Sequence, residues 1–166
     1  MTKTEILELL NTTEDQLIRH LDEDVRTIFS TMVGMEVSQS QPASTETVFT
    51  DCVTAMVGFA GSYSGMISIN TSQKLAMYFT SQMLGMDVTK CNDDVHDALG
   101  EIANMIAGSF KHHFVVGVHE VQLSTPSVIS GEHYFITVGS LPDTLTLMFE
   151  FAGDTFMVNV YLETGD

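Results

Sequence analysis

The sequence predicts an α+β domain: a largely antiparallel sheet with long helices. Three observations carry that prediction. Runs rich in β-formers come as adjacent pairs, 52–59 with 63–69 and 145–151 with 156–162. The helical patterns are grouped between these pairs instead of alternating with single strands. No Gly-x-Gly-x-x-Gly or Walker-type loop occurs, which disfavours a doubly wound sheet. A chain of 166 residues is long enough for one well-buried core, so a single domain is expected over 1–166, with 1–12 a short N-terminal extension.

Ile6, Leu9 and Leu10 have helical spacing before Asn11-Thr12-Thr13 interrupts it. Thr13-Glu14-Asp15-Gln16 then has the form of a capping box with acids in the first turn. The helix it opens carries Leu17, Leu21, Val25, Ile28 and Met32 as its apolar stripe, and Gly34 is placed to end it. Residues 36–46 have no periodicity and read as a connecting loop. After the first strand pair, joined across Gly61-Ser62, Asn70 or Thr71 caps a helix whose Leu75, Phe79, Met83 and Met86 share a face. Beyond the next helix, strand signals cover 115–118, 121–123 and 133–138, with Pro126 and Gly131 as breaks. The clearest alternation closes the chain, where Leu145, Leu147, Phe149 and Phe151 pair with Phe156, Val158, Val160 and Leu162 across Gly153-Asp154.

Composition excludes several functions. Twenty-two acidic against six basic side chains give a formal charge of −16, which repels phosphate backbones and anionic headgroups; neither nucleic acid nor a membrane is an expected partner. No apolar run approaches the ~18 residues that span a bilayer. Cys52 and Cys91 lack Cys-x-x-Cys spacing, so two free thiols in a reducing, cytoplasmic setting is the simpler account. No metal is expected: His112 and His113 point about 100° apart on a helix, and no His-Glu-x-x-His pattern exists. The histidines read as surface or rim residues. Ser124, Ser127 and Ser130 lack a nucleophile-elbow context and read as turn and strand residues. The 11 methionines read mainly as core filling.

The informative stretch is 92–111. At about 100° per residue Val95, Leu99, Ile102, Ile106 and Phe110 fall on one narrow stripe, the core face. Asp97, Gly100, Glu101, Asn104, Gly108 and Lys111 lie opposite. Each glycine inside a helix costs about 1 kcal/mol relative to alanine. Both sit off the core stripe, where packing does not explain them; they fit a face that another backbone approaches.

The string Asp97-x-x-x-Glu101-x-x-Asn104-x-x-x-Gly108 resembles the single Glu-x-x-Asn helix of the CheX branch of the CheC/CheX/FliY phosphatases, which dephosphorylate the chemotaxis response regulator CheY. The resemblance extends to a preceding helix ending near Leu84-Gly85-Met86 and to Leu123-Ser124-Thr125-Pro126-Ser127-Val128-Ile129-Ser130-Gly131, similar to that family's strand and Pro-x-Val-x-x-Gly turn. It covers most of the chain from about residue 14. The earlier long helix offers Glu23-x-x-Arg26, so the motif is present once.

The resemblance implies hydrolysis of the aspartyl phosphate of a CheY-like receiver domain. By that likeness Asn104 is the catalytic residue that orients the attacking water, and Glu101 the one that docks the receiver's lysine. A carboxamide suits the first role because it both donates and accepts hydrogen bonds. Asp97, Gly108 and Lys111 are flanking binding positions. The chain needs no cofactor of its own, because the response regulator holds the Mg²⁺. CheX-like pairing into a homodimer through a continuous sheet is expected, with the terminal hairpin a candidate for the open edge. The alternative is a non-enzymatic module that uses the same helix face to bind a receiver or a flagellar or secretion component.

Overall fold

The computed structural model describes residues 1–40, 48–115, 117, 119–137 and 143–163. Helices α1 (Lys3–Leu9), α2 (Glu14–Ile28), α3 (Gln73–Leu84) and α4 (Asp93–Lys111) join strands β1 (Ser38–Ser40), β2 (Val48–Gly61), β3 (Ser64–Ser72), β4 (Val121–Leu123), β5 (Ser127–Phe135), β6 (Asp143–Phe151) and β7 (Asp154–Glu163). The strands form one sheet in the order β1-β6-β7-β3-β2-β4, and β5 pairs the same edge of β2 beyond β4. Every pairing between these strands is antiparallel. The expected α+β class is therefore observed.

Alternation decides which face of the sheet is dry. Val53, Ala55 and Val57 of β2, Ile67 and Ile69 of β3, and Val158 and Val160 of β7 are at most 2% exposed. They share one core with Leu17, Leu21 and Val25 of α2, Phe79 of α3 and Ile102 and Ile106 of α4. Ile6 of α1 belongs to that core too. The opposite face carries a polar ladder: Thr54 Oγ1 donates to Asn70 Oδ1 at 2.7 Å, Asn70 and Asn159 donate to Ser68 Oγ, and Thr146 Oγ1 donates to Asn159 Oδ1 at 2.8 Å. Buried hydroxyls and amides need such partners, so the ladder holds four strands in one register.

The caps follow their local chemistry. Thr13 and Gln16 form the expected reciprocal box. Asn92 accepts from the backbone N–H groups of Asp94 and Val95. Ser72, not Asn70 or Thr71, caps α3; those two are buried in β3. Gly85 ends α3 in the left-handed region, which leaves Met86 outside the helix and 61% exposed instead of on its apolar face.

The apolar stripe of α2 also changes register. A π turn over Phe29–Val33 adds a residue to the last turn, so Phe29 and Val33 are buried and Met32 is 49% exposed. Gly34, at φ 74°, then ends the run as expected. Part of the expected 36–46 loop is strand β1, held by pairing with Met148–Glu150; residues 41–47 lie outside the described set.

On the other side of the motif, Val115 is not in a strand, and Val116, Val118 and Val138 lie outside the described residues. Gly131 does not break β5, which runs through it and pairs Gly131 with Cys52. Its hydrogen makes room for the Tyr134 ring, 3.3 Å from where a Cβ would stand. Tyr134 OH in turn reaches Thr54 Oγ1 at 2.9 Å. The final hairpin has the expected facing pairs, Leu145 with Val160, Leu147 with Val158 and Phe149 with Phe156, but turns at Ala152-Gly153, both at positive φ.

Of the hairpin, β6 alone borders an edge of the sheet, and among the described residues β1 covers it only at Met148–Glu150. β7 lies between β3 and β6, and the long outer strand at the opposite edge is β5. Of the 11 methionines Met35 and Met157 alone are buried, so core filling falls mostly to aromatic, branched and leucine side chains.

Candidate active site

Helix α4 crosses the dry face of the sheet against β2, with α2 and α3 packed beside it. Its stripe is the expected one: Val95, Leu99, Ile102, Ile106 and Phe110 are all 0% exposed. Full burial of a side chain of this size is worth about 1.5–3 kcal/mol, so these five hold the helix in place far more firmly than its propensity does. The remaining surface is consequently presented on a rigid support.

On that surface Asp97, Glu101 and Asn104 are exposed, and Gly108 and Lys111 are partly exposed. Glu101 and Asn104, three residues apart, are neighbours on one face, displaced by about 4.5 Å along the axis. Among the described residues, no hydrogen bond or ion pair engages the side chain of Asp97, Glu101 or Asn104. An acid and an amide therefore stand side by side with their full hydrogen-bonding capacity directed outward. Gly108 extends the bare strip: a Cβ there would meet nothing within 4 Å.

Gly100 departs from the expectation. It is buried, and a methyl on it would stand 3.5 Å from Pro126 Cβ and Val128 Cγ2. What covers this glycine is the chain's own side chains of Pro126 and Val128, at ordinary van der Waals distance from a Cβ, so this part of the helix faces the start of β5 and not an outside backbone. A second tie lies one turn earlier, where His96 Nε2 and Ser130 Oγ are 2.8 Å apart.

The histidines also divide. His112 is exposed, but His113 wedges between α2 and the end of α4. Its Nε2 is 3.3 Å from Asp24 Oδ2, and its ring stacks on His20 at 4.0 Å. Burial, followed by the neighbouring His20, pushes the His113 pKa down from its ordinary value, against the pull of Asp24. Nothing in the linear spacing of residues 20, 24 and 113 foretells this cluster. Among the described residues no group of three or more His, Cys, Asp or Glu side chains is arranged to hold a metal ion.

A helix layer on one face of an antiparallel sheet, with a buried helix that offers an unpartnered Glu-x-x-Asn pair, is the arrangement that the resemblance to the CheC/CheX phosphatases implies. The family model described as chemotaxis phosphatase CheX matches residues 53–150, more than half of the chain and the whole of α4. The chain belongs to the CheX family of chemotaxis phosphatases.

Solved structures agree. A chemotaxis protein CheX from Desulfovibrio desulfuricans is 28% identical with a TM-score of 0.77, over 89% of this chain and 99% of that one. A chemotactic CheC-like protein from Shewanella oneidensis is 26% identical with a TM-score of 0.75, over 91% and 100%. A CheX–CheY–BeF3–Mg²⁺ complex from Borrelia burgdorferi, 20% identical with a TM-score of 0.77 over 92% and 99%, shares the fold. No curated protein matches the chain. No described helix is long and apolar enough to cross a membrane.

Proposed function

We propose that this phosphatase hydrolyses the aspartyl phosphate of a CheY-like receiver domain at the outer face of α4, with Asn104 orienting the attacking water and Glu101 docking the receiver's lysine. The observation that carries this reading is the exposed and unpartnered pair Glu101 and Asn104 on a helix otherwise locked into the core. An attacking water must lie in line with the scissile P–O bond, and positioning it supplies much of the catalysis. The Asn104 carboxamide oxygen accepts a hydrogen bond from that water while its N–H₂ donates one to a phosphoryl oxygen. Glu101, one turn away on the same face, gives the receiver ammonium a charge-assisted hydrogen bond and so fixes register. The relative solved with CheY and BeF3 also holds Mg²⁺. In this reading the receiver supplies the Mg²⁺, and the reaction takes place in the cytoplasm. Asp97 and Lys111 flank the pair, and Gly108 gives the receiver backbone room one turn beyond Asn104.

The same reading includes a homodimer. Strand β5 is a nine-residue outer edge with Ile129 40% and Phe135 72% exposed, and such an edge is a template for pairing with a second copy. Light scattering at working concentration should give twice 18.2 kDa; a monomer mass would remove this part of the reading. The functional test is phosphate release from a panel of phosphorylated receivers with and without the protein. Acceleration for at least one receiver is expected. Binding of a receiver through α4 with no acceleration for any would favour a non-enzymatic docking module.

A further inference from the structure

One side of the motif is walled, and the wall has a chemistry of its own. A Cβ on Gly100 would stand 3.5 Å from Pro126, so the segment Thr125-Pro126-Ser127 passes α4 at Gly100, the residue before Glu101 and one turn before Asn104 on the same side of the helix. All three of its residues are exposed. The segment is nevertheless held firmly from both ends. Ser124 N donates to Gly58 O at 2.8 Å, Ser124 Oγ accepts from Gly58 N at 2.9 Å, and Ser124 Oγ donates to Thr125 O at 3.0 Å. Downstream, Val128 touches Gly100 and Ser130 meets His96. In a chain of net charge −16 the whole run from Val121 to Gly131 carries no charged side chain, whereas Asp97 and Glu101 across the helix ridge are both acids.

We propose that Thr125-Pro126-Ser127 is a second docking element of this site: a rigid, uncharged ledge that takes an uncharged segment of the partner beside its phosphoryl-bearing carboxylate. Thr125 is then a residue that determines specificity. This rests on the receiver-phosphatase reading above. The acidic ridge selects the partner's cation, and the ledge selects what lies next to the phosphoryl group. A charge introduced on the ledge is desolvated on docking without a partner, whichever its sign. Because the ledge touches neither the water nor the phosphoryl group, losing it weakens the encounter and leaves the chemical step alone.

The test is steady-state hydrolysis of a phosphorylated receiver by Thr125→Glu and Thr125→Lys, in salt high enough to screen long-range charge, beside Asn104→Ala and Glu101→Ala. Thr125 is an exposed turn residue, so both charged variants should melt like wild type, and the pair gives a second reading if one of them does not. Each should raise KM by about 10-fold with kcat within about twofold of wild type, the size of one lost interface contact. Asn104→Ala should do the reverse. If Asn104→Ala and Glu101→Ala lose activity while both Thr125 variants keep the wild-type KM, the ledge is overturned and the receiver reading stands. The ledge is also overturned if Thr125→Lys lowers KM while Thr125→Glu raises it, because the contact is then charged. If Asn104→Ala and Glu101→Ala both keep wild-type rates, the receiver reading fails and takes the ledge with it.

Discussion

Helices α2 and α4 pack against each other and contribute to the core in the same way, yet their outer faces are opposites. Both open with a side-chain cap, and both bury a continuous apolar stripe. On α2 the polar groups are largely spent within the chain. Gln16 closes the capping box, Asp22 meets Arg26 Nε at 3.0 Å, and Glu14 meets Lys3 at 2.9 Å. On α4 the central polar groups have no such partners among the described residues. That face even carries local costs. Asp97 and Glu101 are like charges at i, i+4, destabilising by roughly 0.2–0.5 kcal/mol, and Gly108 costs about 1 kcal/mol against alanine. A helix held by its buried stripe tolerates such costs on its outer face. Where α2 shows Glu23-x-x-Arg26, with Arg26 already tied to Asp22, α4 shows Glu101-x-x-Asn104, neither member of which has a partner among the described residues.

Four changes sharpen this contrast. The largest effect is expected from Asn104→Ala, which removes the amide and leaves the stripe intact: turnover should fall on the order of 10²-fold, with the melting temperature and receiver affinity unchanged. Titration calorimetry with a receiver mimic and a thermal melt check the two halves. Glu101→Ala should weaken receiver binding by about 10-fold or more, the worth of a charge-assisted hydrogen bond, and lower turnover at fixed receiver concentration.

The third change is pH. His113 has a lowered pKa in the folded protein, so the unfolded chain binds its proton more readily. Its contribution to stability is therefore complete above the ordinary histidine value of 6.5 and is lost as pH falls through that value toward the folded pKa. Melting temperature should drop between about pH 7 and pH 5, and His113→Gln should flatten that slope. An unchanged slope would place the pH sensitivity elsewhere. The smallest effect is expected from Gly108→Ala. A methyl there meets nothing, so chemical denaturation should report a gain of about 1 kcal/mol, while receiver affinity should fall modestly because the bare strip is partly filled.

Much of this contrast was legible in the linear chain, because periodicity and caps are local signals. The stripe and outer face of α4, the Thr13–Gln16 box and the facing pairs of the last hairpin all follow from neighbours a few residues apart. What escaped depends on distant contacts or on a single inserted residue. The π turn at Phe29–Val33 exchanges Met32 for Val33 as the buried residue, and composition does not announce it. Strand β1 is three polar residues, Ser38-Gln39-Ser40, defined by the β6 edge it pairs with. Gly131 has the composition of a break but serves the Tyr134 ring, and Gly100 looked like an opening on the outer face but is covered by the side chains of Pro126 and Val128. The His20–Asp24–His113 cluster joins positions almost a hundred residues apart.

The most direct test of the central claim, that the chemistry belongs to the open face of α4 and not to the self-satisfied face of α2, is the rate of phosphate release from a saturating phosphorylated receiver by wild type, Asn104→Ala and Arg26→Ala. Arg26→Ala breaks an exposed pair worth at most about 1 kcal/mol and should match wild type. Asn104→Ala should fall to near the receiver's own rate of hydrolysis. Wild-type release by Asn104→Ala, or a comparable loss in Arg26→Ala, would contradict the account.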